Sequence, residues 1–162
     1  KARGVRDLIN MGETFALEFK SCLRWNLKTG KKDPAIEHAN LKTIAAFLNS
    51  SGGTLLIGVR DDGSIEGIET DALTNPDKFA RHFWQLVKAR LGQDICPFIR
   101  TAFKDVDSKT VFAVDCVGSP KPVFLNQKQG DDEFYIRVGP SSAKLTIREA
   151  LKYISQRFEE NE

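Results

Sequence analysis

Glu13, Glu18 and Asp61 are the side chains whose type and spacing point most directly to chemistry. Hard cations such as Mg2+ or Mn2+ take carboxylate oxygens, and an ion held that way activates water against a phosphodiester. The spacing imposes a condition. A continuous strand would hold Glu13 and Glu18 about 16 Å apart and, because their separation is odd, on opposite faces. They meet only if the chain bends between Gly12 and Thr14, and Gly12 permits such a bend. Each carboxylate also has a structural alternative: Glu13 caps or solvates a turn, and Glu18 pairs with a neighbouring lysine or arginine. Asp61-Asp62-Gly63 is ordinary turn chemistry unless Asp61 converges with the glutamates.

A second group of residues is cationic. From Lys20 to Lys32 the chain carries Lys20, Arg24, Lys28, Lys31 and Lys32 and no acidic residue. Such a loop neutralises phosphates and makes binding salt-sensitive, or it is simply a solvated surface. Trp25 lies within it, where an indole can stack on an unpaired base, whereas Trp84 falls in an amphipathic helix and reads as packing. Arg137 shares a strand face with Tyr135 and precedes Gly139-Pro140-Ser141-Ser142. Its forked guanidinium suits a phosphate; the alternative is an internal ion pair. Gly52-Gly53 lacks the Lys-Ser/Thr ending of a P-loop and precedes a strand, so helix termination is its expected role.

The 162 residues are 41% hydrophobic and 28% charged, enough for one domain with a core, and a net charge of +2 is no polycation. Cys22, Cys96 and Cys116 are odd in number and lack CxxC spacing, which points to free thiols in a reducing, cytoplasmic setting, with Cys116 as core filling. His38 and His82 do not stand at ligand spacing from a cysteine, so no zinc is expected. No apolar run reaches the roughly 18 residues of a membrane span, and no signal peptide opens the chain. Lys1 at the start and Glu159-Glu160-Asn161-Glu162 at the end suggest a domain taken from a longer protein with further domains.

These residues must be positioned by the elements around them. A short helix is expected from Val5 to Met11, then a strand from Phe15 to Lys20 with Glu18 and Lys20 on its outer face. Pro34 opens a helix whose Leu41, Ile44, Ala45 and Leu48 form one stripe, ending at Ser50-Ser51-Gly52-Gly53. Thr54 to Arg60 is apolar on both faces as far as Val59, the mark of a central strand, and Asp62-Gly63 turns it back into Ile65 to Ile68. Asn75-Pro76 starts a helix carrying Phe79, Phe83, Leu86 and Val87, closed by Gly92. Strands follow at Phe98 to Val106 and Thr110 to Val117, joined through Asp107-Ser108-Lys109, with a shorter apolar segment at Val123-Phe124-Leu125. Glu133 to Val138 alternates Phe134, Ile136, Val138 against Glu133, Tyr135, Arg137. A last helix starts at Thr146 with Glu149 completing a capping box, and is expected to bury Ile147, Ala150, Leu151, Ile154 and Phe158. The fold class is α+β, a mixed α/β single domain with about three substantial helices on one central mixed sheet.

Glu13 with Glu18-Phe19-Lys20, Ala45-Ala46-Phe47-Leu48-Asn49 with Gly52-Gly53 and Ile57-Gly58-Val59, and Glu133-Phe134-Tyr135-Ile136-Arg137-Val138-Gly139 with Ser141-Ser142 together resemble the Schlafen-type AlbA-like domain. The resemblance runs from about Gly12 to Ile154 in the family's order. It implies a mixed α/β domain that binds nucleic acid, and, in the Schlafens, paired lobes forming a basic groove in which three carboxylates and a divalent metal cleave RNA. By that resemblance Glu13 and Glu18 match the two glutamates of the nuclease site. The third carboxylate departs from the pattern: the position after Gly58-Val59 is Arg60, and the aspartates follow at Asp61 and Asp62. A one-residue slip on a strand reverses the face, so Asp61 substitutes only if the strand has already ended. Arg60 in turn adds to a cationic surface.

Three readings follow. The first is a module in which Lys20, Arg24, Trp25, Lys28, Arg60 and Arg137 hold RNA or DNA with little base specificity. The second is an endoribonuclease using Mg2+ or Mn2+ on Glu13, Glu18 and Asp61, built across a homo-oligomer. The third is a module that senses a nucleotide or a protein partner for an attached effector.

Overall fold

The apolar run Leu55–Val59 becomes the centre of the sheet because both its faces are covered: Leu55, Leu56, Ile57 and Val59 are fully buried. In the computed structural model, which describes residues 4–127 and 129–159, the part of that run from Leu55 to Ile57 belongs to β4 (Gly53–Ile57). Lys1 and Glu160-Asn161-Glu162 lie outside the described residues. Strand β1 (Leu17–Lys20) runs parallel to β4, and β6 (Lys109–Cys116) runs antiparallel to both β4 and β5 (Ile99–Val106), giving the order β1-β4-β6-β5. On one face Leu55, Ile57, Phe112 and Val114 pack against Leu41, Ile44 and Phe47 of α2 (Pro34–Leu48) and Phe79, Phe83 and Val87 of α3 (Pro76–Arg90). On the other, Leu17, Phe19, Leu56, Val111 and Ala113 meet Ile9 of α1 (Val5–Met11).

Gly58 breaks the alternation of the central strand. Its φ of 104° is open to glycine, and the N–H groups of both Gly58 and Val59 donate to the Lys20 carbonyl at 2.7 and 3.2 Å. Val59 therefore joins the α1 face alongside Leu56 rather than the α2 face alongside Ile57. The regular strand has ended by Ile57, and a single bridge between Val59 and Ile65 closes the Asp61–Gly63 turn.

The helix starts follow their caps. Asp33 accepts from Ala35 N ahead of Pro34, Asn75 accepts from Lys78 N ahead of Pro76, and Thr146 and Glu149 form the capping box of α4 (Ile147–Phe158). Among the described residues there are four α-helices, the short α1 and the three longer α2, α3 and α4 that the sequence marks. The β5–β6 connection is a two-residue turn in which Asp107 and Ser108 both take positive φ, the geometry that matches strand twist. Val123-Phe124-Leu125 is not a strand; Leu125 makes one bridge to Glu133.

Three expectations are corrected by packing. The basic segment is a hairpin of β2 (Trp25–Asn26) and β3 (Lys31–Lys32), not a loop, with Trp25 opposite Lys32 and Gly30 in the turn at φ 68°. In the ribbon formed by β7 (Tyr135–Val138) and β8 (Ser141–Lys144), Tyr135 and Arg137 face inward while Val138 is exposed, because this ribbon packs on α2 and Arg137 finds its hydrogen-bond partners at Thr14, Phe15 and Glu18. On α4 only Ala150 is buried; Ile147 is 83% and Leu151 66% exposed, since the helix lies against the body through Tyr153 and Arg157 instead.

Candidate nucleic-acid interface

The parallel pairing of β1 with β4 sets Lys20 opposite Ile57, so the turns leaving these two strands emerge side by side. One carries Ser21 to Trp25, and the other carries Arg60 to Gly63. What fixes the first of them is a residue 46 to 48 positions away. The carboxylate of Asp71, fully buried, accepts the backbone N–H groups of Leu23 (2.9 Å), Arg24 (2.8 Å) and Trp25 (3.0 Å). Burial pushes its carboxyl above the usual range, against those three bonds and the Arg24 charge. Asn40, also buried, donates to the Cys22 and Leu23 carbonyls, and Asn26 donates to the cap residue Asp33 at 2.8 Å. The β2–β3 hairpin is thereby pinned at its root while its tip, Leu27 to Gly30, is exposed.

Between the hairpin and the Asp61 turn lies a cleft of about 430 Å3 lined by Lys20, Ser21, Trp25, Lys28 and Asp61, with Phe19, Leu27 and Ile36 as apolar wall. Four residues singled out in the sequence (Lys20, Trp25, Lys28 and Asp61) are thus brought together. Lys31 and Lys32 stand exposed on the neighbouring strand. The Cys22 thiol at the cleft is pushed up to about 12 by burial and then by the Asp71 and Glu66 charges, which keeps it protonated and unreactive.

Arg137 lies elsewhere. Its side chain is 0% exposed, and its guanidinium donates to Phe15 O (3.1 Å), Thr14 O (2.8 Å), Ser142 Oγ (3.1 Å) and Glu18 Oε2 (2.7 Å), with its flat face over the Phe47 ring. The ion-pair alternative describes it, and a phosphate has no access. Arg24 is half-buried and donates to the Asp71 and Ala72 carbonyls. Arg60 is exposed and held by Glu66 at 3.0 Å.

The two glutamates are also engaged. The chain does bend: Gly12 has φ 77°, Thr14 bridges to Leu17, and Glu13 folds back so that its Oε1 accepts the Phe19 N–H at 3.0 Å. That N–H sits on the open edge of β1, so Glu13 satisfies a donor no strand covers. Glu18 turns one oxygen to Arg137 and the other to Lys20 Nζ at 3.4 Å. Among the described residues no three His, Cys, Asp or Glu side chains gather within reach of one ion.

Residues 13–146 match the family model described as Schlafen, AlbA_2. The chain belongs to the Schlafen AlbA_2 family. No curated protein matches it in sequence. Its fold is similar to that of the DIP2311 protein from Corynebacterium diphtheriae (21% identity, TM-score 0.62), covering 88% of this chain and 27% of that one. It is also similar to the N-terminal domain of a protein from Nitrosomonas europaea named as related to the ATP-dependent DNA helicase RecG (18% identity, TM-score 0.54, 90% of this chain and 95% of that one). The chain thus spans about a quarter of the Corynebacterium protein.

Two polar centres of this AlbA_2 domain escape sequence reading. Asn49, fully buried, donates to the Val123 and Tyr135 carbonyls and accepts from Val123 N, tying the end of α2 to the C-terminal ribbon. Glu133 gathers Lys144 Nζ (2.9 Å), Tyr135 Oη (3.0 Å) and His38 Nε2 (3.2 Å), while His38 Nδ1 faces Arg90 Nη2 at 3.1 Å. Asp71, Asn49 and Glu133 each act across long sequence separations, and no local pattern marks such pairs. Among the described residues no helix is long and apolar enough to cross a membrane.

Proposed function

We propose that this AlbA_2 domain binds nucleic acid, with the β2–β3 hairpin and the cleft beside it as the contact surface. The observation that carries the reading is the grouping of Lys20, Trp25 and Lys28 around one cleft, next to exposed Lys31 and Lys32. Ammonium groups on a hairpin whose root is held by Asp71 meet a phosphate backbone without first being ordered, and an indole among them offers a stacking platform. The fold shared with a domain of a helicase-related protein is in keeping with this role. Arg60 extends the cationic rim; Arg137 and Glu18 serve the scaffold. The surface acts by binding, and no cleavage step is assigned to its carboxylates.

The test is fluorescence anisotropy with single-stranded and duplex RNA and DNA over a salt series, comparing wild type with Lys28→Ala/Lys31→Ala/Lys32→Ala. Affinity that falls steeply with salt and drops in the triple variant supports the reading. Binding that ignores both salt and the three substitutions would place the contact surface elsewhere.

A further inference from the structure

The turn after β4 holds two aspartates in different situations. Asp62 is consumed locally: its Oδ1 accepts from Ser64 N at 2.9 Å and from Ser64 Oγ at 2.6 Å. Asp61 is exposed and lines the cleft, and among the described residues no hydrogen bond or ion pair engages its carboxylate. Glu13 is folded onto the β1 edge and Glu18 is held by Arg137 and Lys20, and among the described residues Asp61 belongs to no group of three His, Cys, Asp or Glu side chains around one ion. An acceptor-only group therefore faces a cleft that otherwise offers an indole, apolar wall, two lysines, the Ser21 hydroxyl, the Cys22 thiol and an Asn26 amide already engaged with Asp33 and the hairpin backbone.

We infer that the cleft receives one unpaired nucleobase and that Asp61 selects guanine in it. This rests on the nucleic-acid reading and names its ligand more closely. A cleft of this volume falls within the usual range for small ligands, about 300–1,000 Å3. Trp25 supplies the stacking face, and Lys20 and Lys28 neutralise the phosphates on either side of the base. A carboxylate accepts two parallel hydrogen bonds only where two donors stand side by side. Guanine alone among the bases offers that on its pairing edge, as N1–H beside the N2 amino group. Adenine and cytosine set one amino group beside a ring-nitrogen acceptor, and uracil sets one N–H between two carbonyls; each presents a lone pair to the carboxylate. Since that edge is free only in unpaired nucleotides, the preferred polymer is single-stranded or looped.

The experiment measures anisotropy at fixed salt for octauridylate and for the same strand with one central guanine, inosine, adenine or cytosine, using wild type, Asp61→Asn and Asp61→Ala. A bidentate contact of this kind corresponds to about tenfold in affinity. The guanine strand is expected to bind about tenfold tighter than octauridylate, and inosine, which lacks the N2 amino group, to fall between. Both Asp61 variants should bring the guanine-to-uridine ratio close to one. Equal affinity for all strands in wild type, or a ratio untouched by either variant, overturns the inference. So does a gain of the same factor on every strand, which would mean that Asp61 only repels phosphate. Wild type binding none of the strands would overturn this inference, and absence of binding in the salt series with duplex RNA and DNA as well would overturn the nucleic-acid reading with it.

Discussion

Arg137 Nη1 lies 2.7 Å from Glu18 Oε2 across 119 positions of sequence, and this pair joins the C-terminal ribbon to the edge strand of the sheet. Removing one member of a buried ion pair leaves the other charge uncompensated, at a cost of about 3–5 kcal/mol. Arg137→Ala should lower unfolding stability by that amount in urea denaturation. Arg137→Lys restores the charge but not the fork that reaches the Thr14 and Phe15 carbonyls, so it should recover only part of the loss. A variant with wild-type stability would show that the pair is not a structural tie.

Asp71 sets up a second prediction. Asp71→Ala strips the acceptor from three N–H groups, and the buried Leu23 N–H alone should cost about 1–3 kcal/mol. Hydrogen exchange of Leu23, Arg24 and Trp25 should accelerate well ahead of the β4 amides. Exchange rising uniformly across the sheet would instead mean a global loss of stability with no special hold on the hairpin.

For the lysines, the quantity to read is the salt slope rather than affinity at one ionic strength. Each phosphate contact removed from a single strand makes the slope shallower by about 0.7. Lys28→Ala should show a change of that size, whereas Lys121→Ala, exposed and outside the residues that line the cleft, should show none.

Stability should fall in acid in two stages. Burial foremost, then the Arg90 and Lys42 charges, hold His38 below its ordinary value of 6.5 against the pull of Glu133. The unfolded chain therefore binds the proton first, and stability declines as pH drops below about 6.5. Glu133 is lowered from 4.5 even though burial opposes it, because hydrogen bonds from Lys144 and Tyr135 and the nearby positive charges prevail. Its contribution is present above 4.5 and is lost as pH falls through the folded value. His38→Gln should flatten the upper limb of the pH curve and Glu133→Gln the lower one. A wild-type unfolding midpoint constant from neutral pH to about 4 would contradict both assignments.

How far these features were legible in the sequence depends on how local their causes are. Caps and periodicity placed α2, α3 and the start of α4, and the double-faced apolar run placed β4 at the sheet centre, because each of these signals lies within a few residues. The inward turn of Tyr135 and Arg137 was not legible: alternation assigns two faces but does not say which is buried, and here buried partners on α2 and β1 decide it. The exposed Ile147 and Leu151 show the same ambiguity on a helix, where an apolar stripe does not by itself supply a surface to cover it. At the candidate site, Lys20, Trp25, Lys28 and Asp61 were recognisable by type and do share a cleft, while the meaning of Glu13 and Glu18 waited on knowing which N–H and which guanidinium they would meet.

The bulge at Gly58 decides which side of the sheet the residues after it address. A strand works as a parity code in which odd and even positions address opposite sides, and one additional residue inverts the parity of everything after it. Without that inversion Val59 would fall in phase with Ile57 and address α2; with it, the same side chain closes the apolar cover over α1.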